Sequence, residues 1–136
     1  MAPAARPHID YLTRSRTQKL GVRPGSRIAL VGIKDPEVVS ELKEAGGLVA
    51  TRMSAGPYDM ILVRLDGTED LPKLREAKGR IASNGMVWAI WPKGRKEFRE
   101  DDIRHYGPVA GLVDVKVMRF SDELSGLKLV IPKARR

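Results

Sequence analysis

Positively charged side chains follow four apolar stretches of the sequence, each near the point where the stretch ends. They are Lys34, then Arg52, then Arg64, and finally Lys93, Arg95 and Lys96. Arginine and lysine bind phosphates and carboxylates through charge-assisted hydrogen bonds. The residue types at these positions therefore indicate a site for an anionic ligand rather than a site for a bond-making step.

Trp91 lies two residues before Lys93, and Pro92 ends its apolar stretch. An aromatic ring at the end of a strand can stack on a nucleic-acid base or on another planar ligand. The alternative is that Trp91 packs in the core, which is common for large aromatic side chains. We favour core packing and keep Trp91 as a candidate stacking surface.

Residues suited to acid–base or metal chemistry are scarce. The chain has no cysteine and only two histidines, His8 and His105, which are far apart in the sequence. This is not a metal-ligand motif, so we predict no metal site. Asp59 and Asp114 could act as general bases, but lone acids at strand edges more often cap a backbone or form ion pairs. We therefore assign no catalytic residue.

Length and composition fit one folded domain. The chain has 136 residues, of which 42% are hydrophobic, and a formal net charge of +8. No apolar run approaches the roughly 18 residues of a membrane span, and the absence of cysteine fits the cytoplasm, where we expect the protein. We predict a flexible basic arm over residues 1–16 and one domain over residues 17–136. The charge favours acidic partners: an anionic small molecule, nucleic acid or an acidic protein.

Apolar stretches alternate with segments of helical spacing. The expected strands cover residues 27–33, 48–53, 58–65, 86–91, 112–120 and 124–131. We expect three helices between them, the last of which ends at Gly107-Pro108. Asn84-Gly85 is expected to form a turn before the fourth strand, and Ile81 is assigned to the apolar face of the helix that precedes it.

This alternation predicts an α/β domain with a Rossmann-like, doubly wound and mostly parallel sheet of about six strands. No helix separates the last two strands, so we expect them to form a hairpin that adds one antiparallel strand to the sheet. The fourth strand is apolar on both faces, which indicates a central position. Because ligands of such sheets bind beyond the carboxyl ends of the strands, the topology would gather the cations at one edge.

Three phrases of the sequence resemble the class I methyltransferases by their order, namely LGVRPG at 20–25, YDMILV at 58–63 and GMVWAIWPK at 85–93. The chain also resembles a small bacterial family known as domain of unknown function 3052. The residues that carry this resemblance are QKLG at 18–21, WAIWPK at 88–93, AGLVDVKV at 110–117 and SGLK at 125–128. The first resemblance implies a methyltransferase-like fold over about residues 17–133, for which we expect the strand order 2-1-3-4-6-5 with the last strand antiparallel. The second resemblance implies a fold but no activity.

The methyltransferase resemblance also implies a cofactor site, and this chain departs from it. Active members carry an acid in the first strand and three glycines after it, and the matching positions here are Leu30, Gly32, Lys34 and Pro36. An acid that accepts from the ribose hydroxyls should follow the second strand, where the chain has Thr51-Arg52. Arginine has only donors. We therefore expect no S-adenosylmethionine site of the usual kind and assign no cofactor.

Together these patterns predict a non-catalytic binding or regulatory module with an anionic ligand, nucleic acid or acidic partner. Its candidate ligand-binding residues are Lys34, Arg52, Arg64, Trp91, Lys93 and Arg95. One alternative is an enzyme that uses a nucleotide-like cofactor or S-adenosylmethionine in a nonstandard pose, and another is a purely structural subunit. For the cations alone, the alternative is that a chain with 25 lysine and arginine residues carries some on every loop.

Overall fold

Strands and helices alternate along most of residues 15–136, which are the residues that the computed structural model describes. The strands are β1 (Arg27–Val31), β2 (Leu48–Ala50), β3 (Tyr58–Arg64), β4 (Ile81–Pro92), β5 (Val113–Arg119) and β6 (Leu124–Val130). The helices are α1 (Arg16–Leu20), α2 (Pro36–Glu44), α3 (Pro72–Lys78) and α4 (Glu100–Val109), with short 3₁₀ turns at Thr68–Asp70 and Lys133–Arg135. No helix between residues 15 and 136 is long and apolar enough to span a membrane.

The six strands form one sheet in the order β2-β1-β3-β4-β6-β5, which confirms the predicted order. β1 pairs in parallel with β2 and β3, and β3 pairs in parallel with β4. β6 runs antiparallel between β4 and β5. The carboxyl ends of the first five strands and the amino end of β6 therefore share one edge, which we call the carboxyl edge. The opposite edge is the amino edge.

β4 is buried on both faces, as its apolar sequence predicts. Trp88 and Ile90 lie in an apolar layer to which α1 and α2 contribute. Val87, Ala89 and Trp91 lie in a second layer, to which α3 and α4 contribute. Side chains alternate between the faces of a strand, so one strand holds both layers together and fixes where its own carboxyl end emerges.

The turn predicted at Asn84-Gly85 and the helical position predicted for Ile81 are both wrong. β4 already begins at Ile81, and Asn84-Gly85 lie in an irregular stretch of the strand, where its register with β3 shifts. A Cβ on Gly85 would meet the carbonyl oxygens of Asp59 and Tyr58 at 3.0 and 3.1 Å. The glycine therefore permits a close approach of two backbones inside the sheet instead of making a turn.

Three other elements end at residues that the sequence did not predict. β1 ends at Val31 because Gly32 adopts a φ of +75° and turns the chain. β2 is only three residues long, so Arg52 lies beyond the strand instead of inside it. α4 continues through Pro108 to Val109. In the last turn of a helix a proline removes only one hydrogen bond.

α1 is tied to the sheet by polar contacts. Trp88 Nε1 donates to the carbonyl oxygen of Leu20 at 3.1 Å. Arg16 pairs with Glu41 at 2.8 Å and donates to the carbonyl oxygen of Phe120 at 3.0 Å. Arg16, which the sequence analysis assigns to the basic arm, is thus the first residue of α1 and part of the folded domain. The rest of the predicted arm, residues 1–14, lies outside the described residues.

Gly126→Ala tests how closely β6 packs on β4. A Cβ at residue 126 would lie 3.2–3.3 Å from the side chains of Ile90, Met118 and Trp88, all of which are buried. We expect the variant to lose about 1–2 kcal/mol of unfolding free energy in urea denaturation, a typical cost of overpacking. The control is Gly79→Ala, where φ is −72° and the nearest atom is 3.5 Å away. Equal stability of the two variants would contradict the prediction.

Candidate functional site

The residues predicted to form the site all lie at or just beyond the carboxyl edge. Lys34 follows β1, Arg52 follows β2, Arg64 is the last residue of β3, Trp91 is near the end of β4, and Lys93 and Arg95 follow β4. They share this edge because the first four strands are parallel. The side-chain contacts show which of these residues lie together, and they separate the candidate residues into two groups.

Arg64 and Arg95 converge on Asp66, in the loop after β3. Arg64 Nε and Nη2 lie 3.1 and 3.0 Å from Asp66 Oδ1. Arg95 Nη1 donates to the carbonyl oxygen of Asp66 at 3.1 Å. The carboxylate offsets part of the charge of Arg64, whereas the contact of Arg95 is with a neutral carbonyl. Two guanidinium groups from neighbouring strand ends are therefore held around one residue.

Asp70 fixes the loop that carries Asp66. Its Oδ2 accepts from the backbone N–H of Asp66 at 2.8 Å, and its Oδ1 lies 3.1 Å from Lys73 Nζ. The hydrogen bond from the Asp66 backbone lowers the pKa of Asp70 most, and the neighbouring Lys73 lowers this pKa further, against an opposing effect of desolvation. The ionised carboxylate thus stabilises the loop conformation in which Asp66 meets both arginines.

A cavity of about 390 Å³ lies beside the end of β4. Four cations line it, namely Lys93, Arg95, Lys96 and Arg99. The acid among its lining residues, Glu100, already pairs with Arg104 at 2.6 Å. Ser125, near the start of β6, adds a hydroxyl group. The cavity therefore presents an excess of positive charge to a ligand.

Trp91 lines this cavity but is only 3% exposed. It belongs to the same apolar layer as Phe98. Core packing, which the sequence favours, is what the structure shows. The candidate role of Trp91 as a stacking surface is therefore not supported, because stacking requires a ring face that a ligand can reach.

Lys34 lies in a different, larger cavity of about 860 Å³. Its lining combines apolar residues, such as Ile33 and Val39, with the cation Lys43. Arg52 is exposed beyond β2. Between residues 15 and 136, neither Lys34 nor Arg52 forms a hydrogen bond or ion pair with Asp66, the residue that Arg64 and Arg95 share. The structure thus joins the cations at the ends of β3 and β4 and leaves the two earlier ones apart.

Three residues of the site were missing from the prediction, namely Asp66, Arg99 and Ser125. Ser125 pairs with Trp91 in the β4–β6 register, and the predicted antiparallel course of β6 could have revealed this position. Arg99 directly precedes α4, and its backbone N–H donates to Asp102 Oδ2 at 2.8 Å. Asp66 follows β3 in sequence, but no sequence pattern predicts that two arginines contact it.

The two acids considered as general bases both have partners. Asp59 Oδ2 accepts from the backbone N–H of Arg27 at 2.8 Å. The carboxylate of Asp114 pairs with the guanidinium of Arg104. These are the capping and ion-pairing roles that the sequence favours. His105 is exposed on α4, whereas His8 lies outside the described residues.

The described part of the chain, from Ser15 onwards, contains no group of three histidine, cysteine, aspartate or glutamate residues that could hold a metal ion. Three acids at or beside the candidate site, Asp66, Asp70 and Glu100, each pair with a lysine or arginine. The arrangement is therefore suited to binding an anion by charge and hydrogen bonds.

Comparison with solved structures finds methyltransferases. The magnesium protoporphyrin IX methyltransferase of Synechocystis PCC 6803, solved with bound S-adenosylmethionine, is similar over 92% of this chain and 78% of its own, with 15% identity and a TM-score of 0.64. An S-adenosylmethionine-dependent methyltransferase from Aquifex aeolicus is similar over 95% of this chain and 94% of its own, with 13% identity and a TM-score of 0.63. The ribosomal protein L11 methylase of Lactobacillus delbrueckii subsp. bulgaricus is similar over 85% and 74%, with 12% identity and a TM-score of 0.64.

These likenesses show the fold and nothing finer. The chain has the Rossmann-like fold of the class I methyltransferases, as the sequence resemblance implies. No family model and no curated protein sequence matches the chain. Its resemblance to domain of unknown function 3052 therefore stays a prediction.

The residues at the cofactor position of this fold do not fit S-adenosylmethionine in its usual pose. A Cβ on Gly32 would meet the Cβ of Arg64 at 3.2 Å, so the first expected glycine serves packing against β3. Lys34 and Pro36, both exposed, stand where the other glycines should be. Arg52 offers only donors where the ribose hydroxyls need an acceptor.

S-adenosylmethionine is therefore expected to bind weakly, with a dissociation constant above about 1 mM. Isothermal titration calorimetry with this cofactor and with its demethylated product measures the affinity, and a class I methyltransferase titrated under the same conditions serves as the positive control. Micromolar affinity for either compound would contradict the prediction and favour an enzyme with a nonstandard cofactor pose.

Asp70→Asn tests the carboxylate that holds the loop. The fold lowers the pKa of Asp70, so its contribution to stability is complete above the unfolded-state pKa of about 3.9 and is lost as the pH falls through the lower folded-state value. At about pH 7 we expect the variant to lose about 1.5 kcal/mol of unfolding free energy, the low end for a hydrogen bond to a charged group. In urea denaturation the difference from the original chain shrinks as the pH falls below about 4.

The control is Asp122→Asn, because the side chain of Asp122 is 90% exposed and contributes little. We expect this control to differ little from the original chain at any pH. A loss in Asp70→Asn that stays constant across the acid range would show that the carboxylate charge is not what stabilises the loop.

Proposed function

We propose that the protein is a non-catalytic binding module that holds a phosphate-bearing ligand at the carboxyl edge. The observation that carries the proposal is the convergence of Arg64 and Arg95 on Asp66, beside a cavity lined by four cations. Arg64 is the last residue of β3 and Arg95 lies in the loop after β4, so their meeting depends on the fold. If the lysines and arginines were simply spread over every loop, we would not expect two of them to share one partner beside a cavity lined by four cations.

The chemistry of the cavity favours phosphate oxygens. A guanidinium group presents a planar fork of donors that matches a phosphate bidentately, whereas an ammonium group acts as a mobile point charge. Arg95 uses Nη1 for the carbonyl oxygen of Asp66, which orients the guanidinium and leaves other donors for a ligand. Lys93 and Lys96 supply point charges at the same cavity. Together they suit a ligand with more than one negative charge.

Affinity in this proposal comes from charge and not from stacking. Trp91 is 3% exposed and cannot offer a ring face. A ligand held by phosphates alone is bound with little preference among bases, and its affinity falls steeply as salt rises, because bound counterions are released on association. Salt dependence is therefore the property that the experiment should measure.

The non-catalytic part of the proposal rests on how the acids are used. Asp59 and Asp114 are engaged by Arg27 and Arg104, and Glu100 is engaged by Arg104 as well. A general base must lie within hydrogen-bond reach of the proton that it removes. Asp59 and Asp114 are the second residues of β3 and β5, so they lie at the amino edge, away from this cavity, which supports binding without turnover.

Lys93→Glu/Arg95→Glu tests the site. We expect the unaltered chain to bind a single-stranded oligonucleotide or polyphosphate, and the double variant to bind at least about tenfold more weakly with a shallower dependence of log affinity on log salt, since fewer phosphates are neutralised. Fluorescence anisotropy with a labelled oligonucleotide, with polyphosphate as competitor, gives both quantities at several salt concentrations.

The matched control is Lys133→Glu/Arg135→Glu, which changes the net charge equally. Both residues are exposed and follow the end of β6 at the amino edge. Equal losses in the two double variants would mean that affinity comes from overall charge. No binding by the unaltered chain at low salt would remove phosphate-bearing ligands from the proposal and leave an acidic protein surface as the partner to test.

A further inference from the structure

Two lysines face each other across β5 and β6, away from the carboxyl-edge cavity. Lys116 and Lys128 are partners in the antiparallel register. Lys128 is also the partner of Trp88 in β4, so its side chain lies on the same face of the sheet as Trp88. Like charges directly opposite each other on neighbouring strands are destabilising. We therefore expect another interaction to offset the repulsion between these two lysines.

The protein itself does not supply that compensation within the described residues. No ion pair between residues 15 and 136 includes Lys116 or Lys128. Lys128 is half-buried. Burial lowers the pKa of its ammonium group, and the neighbouring charge of Lys116 lowers that pKa further. Both effects lower the pKa, as expected for a cation that lacks a counterion.

A cavity of about 480 Å³ adjoins Lys128. Its polar lining includes Arg23, Ser26 and Asn84 in addition to Lys128. The Ser26 hydroxyl oxygen accepts from the backbone N–H of Arg23 at 3.0 Å, so its own hydrogen can still be donated. The one acid of the lining, Asp59, accepts from the backbone N–H of Arg27 and keeps its negative charge, so with Arg23 and Lys128 the lining retains one net positive charge.

We propose that this cavity is a second anion site, in which the phosphate group of a small molecule lies against Lys128, with Arg23 and Ser26 as further donors. Its volume falls in the range of pockets that hold small metabolites. A phosphate beside Lys128 supplies a counterion for its ammonium group and so offsets the repulsion from Lys116. The site is separate from the carboxyl edge and does not depend on the function proposed there.

Thermal unfolding in inorganic phosphate tests the site. With sodium chloride added to keep the ionic strength constant, we expect the melting temperature of the unaltered chain to rise by about 3 °C at a phosphate concentration about five times the dissociation constant. Lys128→Met keeps the apolar stem and removes the charge. This variant should melt at or above the temperature of the unaltered chain without phosphate, and it should lose most of the rise with phosphate.

Two controls separate this site from other sources of phosphate affinity. Lys133→Met removes a lysine from the exposed C-terminal segment and should keep the full rise. Lys93→Glu/Arg95→Glu alters the carboxyl edge, which under the proposed function also binds phosphate, so this variant should lose only the part of the rise that Lys128→Met keeps. If Lys128→Met does not fold, Arg23→Gln carries the test, because Arg23 lines the same cavity and is exposed. Repeating the titration with adenosine 5′-monophosphate distinguishes a phosphate monoester, which should bind more tightly by filling the cavity, from free phosphate.

Two results would overturn the proposal. The first is a phosphate-dependent rise that persists unchanged in Lys128→Met or, where that variant does not fold, in Arg23→Gln. The second is the absence of any rise in the unaltered chain at phosphate concentrations up to tens of millimolar. A ligand that binds the folded chain raises its melting temperature, so the absence of a rise would mean that phosphate does not bind.

Discussion

The burial of β4 is the constraint on which the rest of the structure depends. This strand pairs with β3 on one side and β6 on the other, and both of its faces lie in apolar layers. A strand held on four sides cannot shift by one residue without moving every apolar side chain to the wrong face. Its carboxyl end is therefore fixed, and with it the start of the loop that carries Lys93 and Arg95. The packing of the core thus determines where this part of the candidate site lies.

The alternation of the sequence was enough to predict the sheet but not its irregularities. Apolar stretches separated by helices predicted parallel strands, because parallel strands need crossover connections. The order of the strands came from the resemblance to the class I methyltransferases. The turn expected at Asn84-Gly85 failed because a glycine that permits a close backbone approach has the same sequence signature as a glycine that permits a turn. Only the carbonyl oxygens of Tyr58 and Asp59 against Gly85 distinguish the two, and these come from another strand.

The candidate site was predictable as a set of positions and not as a set of contacts. Parallel topology placed the cations at one edge, as expected. It could not reveal that Asp66 would join Arg64 to Arg95, since that depends on the conformation of a loop held by Asp70. Nor could it separate Lys34 and Arg52 from the others, because a strand end fixes the root of a side chain and leaves several ångströms of reach open.

The excess of positive charge has different physical consequences at the two anion sites. At the carboxyl edge the cations follow strand ends, where water and salt screen their mutual repulsion. Beside Trp88 the repulsion acts on a half-buried Lys128, where screening is weaker. An anion bound at either site would stabilise the fold, because it would bind the folded chain and not the unfolded one. At the first site its affinity would fall as the salt concentration rises. At the second site it would also offset the repulsion between Lys116 and Lys128 within the sheet.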